Sequence, residues 1–461
     1  MTQNLPPAPS LGYASPSPGR RAGSRRPIIF ICWTVILVIV GLEVIANIER
    51  STGSADTPVD NEAMSAIGHC IVGAHVLTAL SDKSGQSDPT GPLVAEMDAV
   101  AKSPEDRLRV AIISKEVQSV ADGDRRLDAM NKSTDLPPPV RSDLAALRII
   151  YRDGASSLSQ QQRQSLIDHE KWFGELALSY GMPDTSPERS KLLAQAKRAF
   201  VVSTSAAFIG GGGLVLGAGL IVLAIVLAST GRLPLLFRPG LPDSVFLEAF
   251  ALYLAGFVVI SLVLRVFIQS PGLAWSLLLT VMLPIAVGWP VVRGKPWSQT
   301  RMELGWHSGR GMFWEMGCGV VGYIAALPLL AVMLLITLQL IRISGTTPSH
   351  PVVQYLSGGP GEIAFIYFIA CIWAPIFEES MFRGALFNHL RGRHGWWVSA
   401  LIVGLLFAAV HPQGWTTIPI LGGIGMVLCA LREWRSSLIA SMAAHALSNG
   451  TVITLALLTS R

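Results

Sequence analysis

After Phe200 the chain is built from long apolar runs, near 200–230, 246–268, 272–293, 312–342, 361–383, 396–411, 416–431 and 437–458. A helix needs about 20 residues to cross roughly 30 Å of hydrocarbon, and most of these runs meet or approach that length. A ninth run, Ile28 to Leu42, follows Arg20, Arg21, Arg25 and Arg26. It is long for the core of a cleaved signal peptide and no small-x-small site follows it cleanly, so it reads as a retained first membrane helix. The expected fold is all-α: a polytopic transmembrane helical bundle of about 8–9 spans.

Composition matters because it is uneven. The chain is 50% hydrophobic and 15% charged, yet 21 of its 31 acidic and 17 of its 36 basic residues fall between Ser51 and Ala199. There, charged and apolar residues alternate at helical spacing. "SPED" at 103–106 and "SPER" at 186–189 read as helix starts, with Ser as N-cap and Pro in the first turn. "DLPPPV" at 135–140 reads as a break. The expected division is a disordered basic cytoplasmic tail at 1–26, a membrane anchor at 27–48, a water-exposed helical insert at 49–199, membrane helices at 200–344 and a final membrane core at 345–461. Gly210 to Gly213, Gly217 and Gly219 suit close backbone approach between helices, or a flexible span.

Basic residues near helix ends are retained in the cytoplasm. With the N-terminus inside, the inner short segments collect Arg20, Arg21, Arg25, Arg26, Arg232, Arg238, Arg293, Lys295, Arg301, Arg310, Arg383, Arg391, Arg393, Arg432 and Arg435, and the outer ones Arg265, Arg342 and Arg461. The insert is then extracytoplasmic, in a multi-pass protein of a bacterial plasma membrane. No basic tract interleaved with aromatics suggests nucleic-acid binding. The five cysteines lack close pairing and read as small apolar residues. "MELGWHSGRGMFWEM", 302–316, reads as an amphipathic interfacial helix with Trp306 and Trp314 as belt residues and His307 and Glu315 at the interface.

Acids at bilayer depth cost some kcal/mol and are by default functional or paired. In "WAPIFEESMFRG", 373–384, Glu379 and Arg383 share a helical face four residues apart, whereas Glu378 points about 100° away and has no partner in its own segment. Glu378 and His411 lie equally far from the Gly392–Gly395 turn, so antiparallel helical arms bring them level about 25 Å from it. On the last run, His445 and Asn449 share a face. Such groups can donate to an oxygen acquiring negative charge. Pro375 is either a kink that opens space for water or a tolerated membrane proline.

The combination of EExxxR (Glu378, Glu379, Arg383), FxxxH (Phe407, His411) and HxxxN (His445, Asn449) resembles the CPBP intramembrane proteases, the type II CAAX prenyl endopeptidases and their bacterial Abi relatives, over roughly 361–455. The resemblance implies that 345–461 is a catalytic membrane core hydrolysing a peptide bond of a membrane-associated peptide or protein. Glu378 and His411 would activate water, His445 and Asn449 would hold the oxyanion, and Glu379 and Arg383 would orient the first helix. Glu378, His411 and His445 also match a catalytic zinc set, so a metalloprotease remains an alternative to a metal-free mechanism. Partners expected are the lipid bilayer, the substrate and an extracytoplasmic protein met through 49–199. The rival readings are a non-catalytic membrane scaffold or bacteriocin-immunity-type protein, and a proton-carrying transporter, which the lack of inverted repeats disfavours.

Overall fold

The structure is a computed structural model that describes residues 26–53, 59–80, 90–133, 135–240, 242–267, 282–344 and 358–460. The expected tail at 1–26 lies outside these apart from Arg26, and the run at 272–293 is described only from Met282. All regular structure among the described residues is helical.

The chain begins with α1 (Arg26–Gly53), followed by the polar domain: α2 (Val59–Leu80), α3 (Thr90–Val100), α4 (Pro104–Val117), α5 (Val120–Asn131), α6 (Pro138–Asp153), α7 (Gln160–Glu170), α8 (Trp172–Leu178) and the start of α9 (Pro187–Ser229). Local chemistry sets the breaks. Ser103 caps α4, its Oγ accepting from the Asp106 N–H while the Asp106 carboxylate accepts from the Ser103 N–H, a reciprocal pair that satisfies two otherwise orphaned donors. Pro138 opens α6 after the Pro-rich break. Helix α4 runs through the middle of the domain, with Leu108, Ile112 and Ile113 buried among Leu147, Phe173, Leu176 and Leu193. Gly73 lets α2 lie on α9, because a Cβ there would collide with the Ala196 carbonyl.

The expected boundary at 199 is not a structural break. Helix α9 is continuous for 43 residues, so the polar domain's last helix is also the next apolar one. Its outer faces, with Phe208 and Val215 among the most exposed apolar side chains, suit lipid. Of its glycines, Gly213 and Gly217 meet α13 (Met312–Ser344) at Leu327, Ile324 and Pro328, whereas Gly210, Gly211, Gly212 and Gly219 have open space beside them. Close approach therefore explains only two of the six.

The remaining elements are α10 (Val245–Phe267), α11 (Met282–Val292), α12 (Trp297–Leu304), α14 (Pro360–Phe368), α15 (Ala374–Glu379), α16 (Phe387–Arg391), α17 (Trp396–Ala409), α18 (Ile418–Arg435) and α19 (Leu438–Ser460). Seven described helical stretches are long and apolar enough to cross a membrane, including Pro360–Arg391 as one unit; Met282–Val292 and Trp396–Ala409 are shorter apolar helices. This is a polytopic helical bundle.

Residues 302–316 do not form one interfacial helix. Helix α12 stops at Gly305, which adopts a left-handed conformation, and α13 starts at Met312. Glu315 is fully buried, its two oxygens each accepting from Arg435 at 2.8 Å. An acid with a bidentate arginine partner across the bundle is a clasp between α13 and α18, not an interfacial charge. Trp306 is half-buried and donates to Ser380 Oγ at 2.8 Å; Trp314 is exposed, as a belt residue would be.

Candidate active site

The EExxxR segment is not a regular α-helix. Short α15 is flanked by two π-helical stretches, Ile369–Trp373 and Ser380–Leu386, a wider winding that recurs at functional positions. Its first consequence arises at Pro375. In the wider pattern the Ala374 N–H reaches the Ile369 carbonyl, so the Ala370 carbonyl would need a donor from residue 375. Proline has none. Asn449 supplies it from α19, Nδ2 donating to the Ala370 oxygen at 2.8 Å. Pro375 thus opens a seat for a side chain of a neighbouring helix, and one of the two Asn449 N–H groups is committed there.

Glu379 and Arg383 are both fully buried and joined at 2.9 Å. A second arginine arm donates to the Gly425 carbonyl on α18 at 3.0 Å, and the guanidinium lies 4.5 Å from the centre of the Phe407 ring. The same oxygen of Glu379 accepts from His445 Nδ1 at 2.9 Å. One carboxylate therefore organises three helices: its own, α18 through Arg383, and α19 through His445.

These contacts fix tautomers. A carboxylate and a carbonyl only accept, so His445 carries its proton on Nδ1 toward Glu379, and His411 carries its proton on Nδ1 toward the Phe407 carbonyl at 2.6 Å. Both Nε2 lone pairs are left facing the same place. Glu378 Oε2 is there, 3.7 Å from His445 Nε2 and 3.9 Å from His411 Nε2. It accepts no hydrogen bond from the protein. Phe407, nearly fully buried, packs against both imidazoles, with ring centres 4.3 Å from His411 and 5.8 Å from His445.

Glu378, Glu379, Arg383, His411 and His445 thus form one cluster, and Asn449 stands beside it on the π-helical wall. The Glu378 side chain is 25% exposed and that of His411 18%, so the cluster is not sealed. Among the described residues no group of three or more His, Cys, Asp or Glu side chains closes to metal-ligating spacing.

Two participants were not legible in the sequence motifs. Gly425 supplies the carbonyl that holds Arg383, and the tight packing of α18 on α17 gives it that position. Asn47, on α1, donates from Nδ2 to the His411 carbonyl at 2.8 Å. The available signal for Asn47 was its polarity inside an apolar run.

A family model described as type II CAAX prenyl endopeptidase Rce1-like matches residues 360–451. An uncharacterized 24.3 kDa protein of Escherichia coli is 50% identical over 44 residues, covering 9% of this chain and 20% of that protein. The membrane-embedded CAAX protease MroQ of Staphylococcus aureus is 31% identical over 100 residues, covering 20% of this chain and 40% of that protein. The chain thus spans less than half the length of either curated relative. No solved structure matches.

Proposed function

Residues 360–451 belong to the type II CAAX prenyl endopeptidase (CPBP) family, and from that premise we propose that the protein is an intramembrane endopeptidase. One observation carries the reading: Glu378 Oε2, which accepts no hydrogen bond from the protein, lies 3.9 and 3.7 Å from the Nε2 atoms of His411 and His445, three acceptors brought together in a cluster that is partly exposed at the Glu378 and His411 side chains. A water capping them has two O–H groups to give to three acceptors, which is the setting for removing a proton as the oxygen attacks a carbonyl carbon.

Glu378 and His411 share that proton as the new C–O bond forms and the carbonyl becomes a tetrahedral oxyanion. In the state that reacts, His445 carries a second proton and presents Nε2–H to the oxyanion, leaving Glu378 and His411 as the acceptors of the attacking water, and the second N–H of Asn449 is available for the same task. When the C–N bond breaks, His411 returns the proton to the leaving amine. Glu379 and Arg383 do not react; they hold His445 and the helix that carries Glu378. The substrate is a peptide or protein already in the membrane.

Orientation belongs to the same reading. Arg383, Arg432 and Arg435 are buried in the bundle and carry no weight as loop charges. Without them the basic bias is still twelve against three, which puts the N-terminus in the cytoplasm and the polar domain outside a bacterial plasma membrane. An exposed helical domain in that position suits a protein partner.

The test compares new peptide termini in membranes holding the native protein or its Glu378→Ala form. A set of termini present only with Glu378 is expected. Identical termini, with any binding phenotype retained by Glu378→Ala, would instead establish a scaffold or immunity-type protein.

A further inference from the structure

Asn47 connects the cluster to a helix that lies outside the family-matched segment. It sits near the C-terminal end of α1, 3% exposed, and bonds to His411 across 364 residues of sequence. The His411 carbonyl lies beyond the end of α17, just before Pro412, and its bond comes from the side chain of another helix. That proline has no N–H and biases the residue before it out of helical geometry, so α17 ends at Ala409. His411 then hangs from a terminal turn, with its N–H on the Ala408 carbonyl at 3.2 Å and its ring on the Phe407 carbonyl at 2.6 Å. Both bonds lie within that turn and move with it. The Asn47 bond ties it to another helix.

We propose that Asn47 is a positioning residue for peptide-bond hydrolysis: its amide N–H holds the His411 backbone so that Nε2 stays opposite Glu378. The inference rests on the protease reading. Its consequence is that α1 is a working wall of the active site, and that the same helix leads toward the polar domain. A slip of about 1 Å at a reacting group can lower turnover roughly a hundredfold, so loss of this tether is expected to lower kcat while substrate binding is little changed.

The experiment uses the full chain in proteoliposomes and a synthetic peptide spanning one Glu378-dependent cut. Asn47→Asp keeps the size of the side chain but replaces the donor by an acceptor. It is expected to lower kcat about tenfold or more, to leave KM within about twofold, and to change the pH profile of kcat, since His411 moves relative to Glu378. Asn47→Gln keeps the donor and should recover part of kcat. If Asn47→Asp does not accumulate, Asn47→Ser, uncharged and too short to reach, is read by the same criteria. Native kcat in these variants, or a fall in activity that tracks only the folded fraction with an unchanged pH profile and no recovery in Asn47→Gln, overturns the proposal. Glu378→Ala runs in parallel. If no Glu378-dependent cut exists, the protease reading falls and the positioning role with it; if the cut exists and Asn47→Asp is native, the positioning role alone falls.

Discussion

At the scale of single residues, the cluster is ordered by one buried carboxylate. Glu379 holds Arg383 and His445 together, so Arg383→Ala leaves an uncompensated charge in an apolar interior. We expect it to cost about 3–5 kcal/mol of stability, measured as earlier unfolding in mild detergent. Arg383→Lys should not restore it, because an ammonium lacks the fork that reaches Glu379 and the Gly425 carbonyl at once. Much of this was legible in the sequence: the i, i+4 spacing paired Glu379 with Arg383, and equal arms about the Gly392–Gly395 turn brought Glu378 level with His411. The bond from Glu379 to His445 was not, since it depends on the rotation of α19 about its axis. Nor was Asn47, whose partner is set by which helices are neighbours.

At the scale of elements, two glycines decide how closely α17 and α18 approach. A Cβ on Gly404 would stand 2.8 Å from the Gly422 carbonyl, and one on Gly425 would stand 2.8 Å from Gly404 Cα. Gly404→Val is therefore expected to push the helices apart, costing about 1–3 kcal/mol and drawing the Gly425 carbonyl away from Arg383. A thermal-unfolding shift together with lost turnover checks this. The helices and their breaks were readable from apolar run length and from Ser, Pro and Gly punctuation. The π-helical winding on both sides of Ala374–Glu379 was not, because run length and punctuation set a helix's extent, while the winding depends on carbonyls that neighbouring helices satisfy. Residues 302–316 misled for a related reason: Glu315 looked interfacial because Arg435 is 120 residues away.

At the scale of the whole molecule, the polar domain carries ionisable groups in its own interior. Glu170 is buried against Arg109 at 2.8 Å, and burial, only partly offset by the guanidinium, raises its pKa above the ordinary carboxylate value. A folded-state pKa raised above the unfolded one contributes stability that is fully present below the unfolded value and lost as pH rises through the folded value. The native domain therefore gains from protonation at this position as pH falls from 7 toward about 4, and Glu170→Gln cannot. Hydrogen-exchange protection in α4 and α7 should shift in favour of the native protein over that range. A constant difference would show that burial of Glu170 does not govern the effect. Charge thins out along the chain near 199, but the helix runs through that point unbroken, because polarity changes there while the winding does not. At 43 residues and 1.5 Å per residue, α9 is a stiff rod of about 65 Å. A load hung on its wet end arrives at the lipid end as torque on α13, where a floppy tether would have let it dissipate as slack.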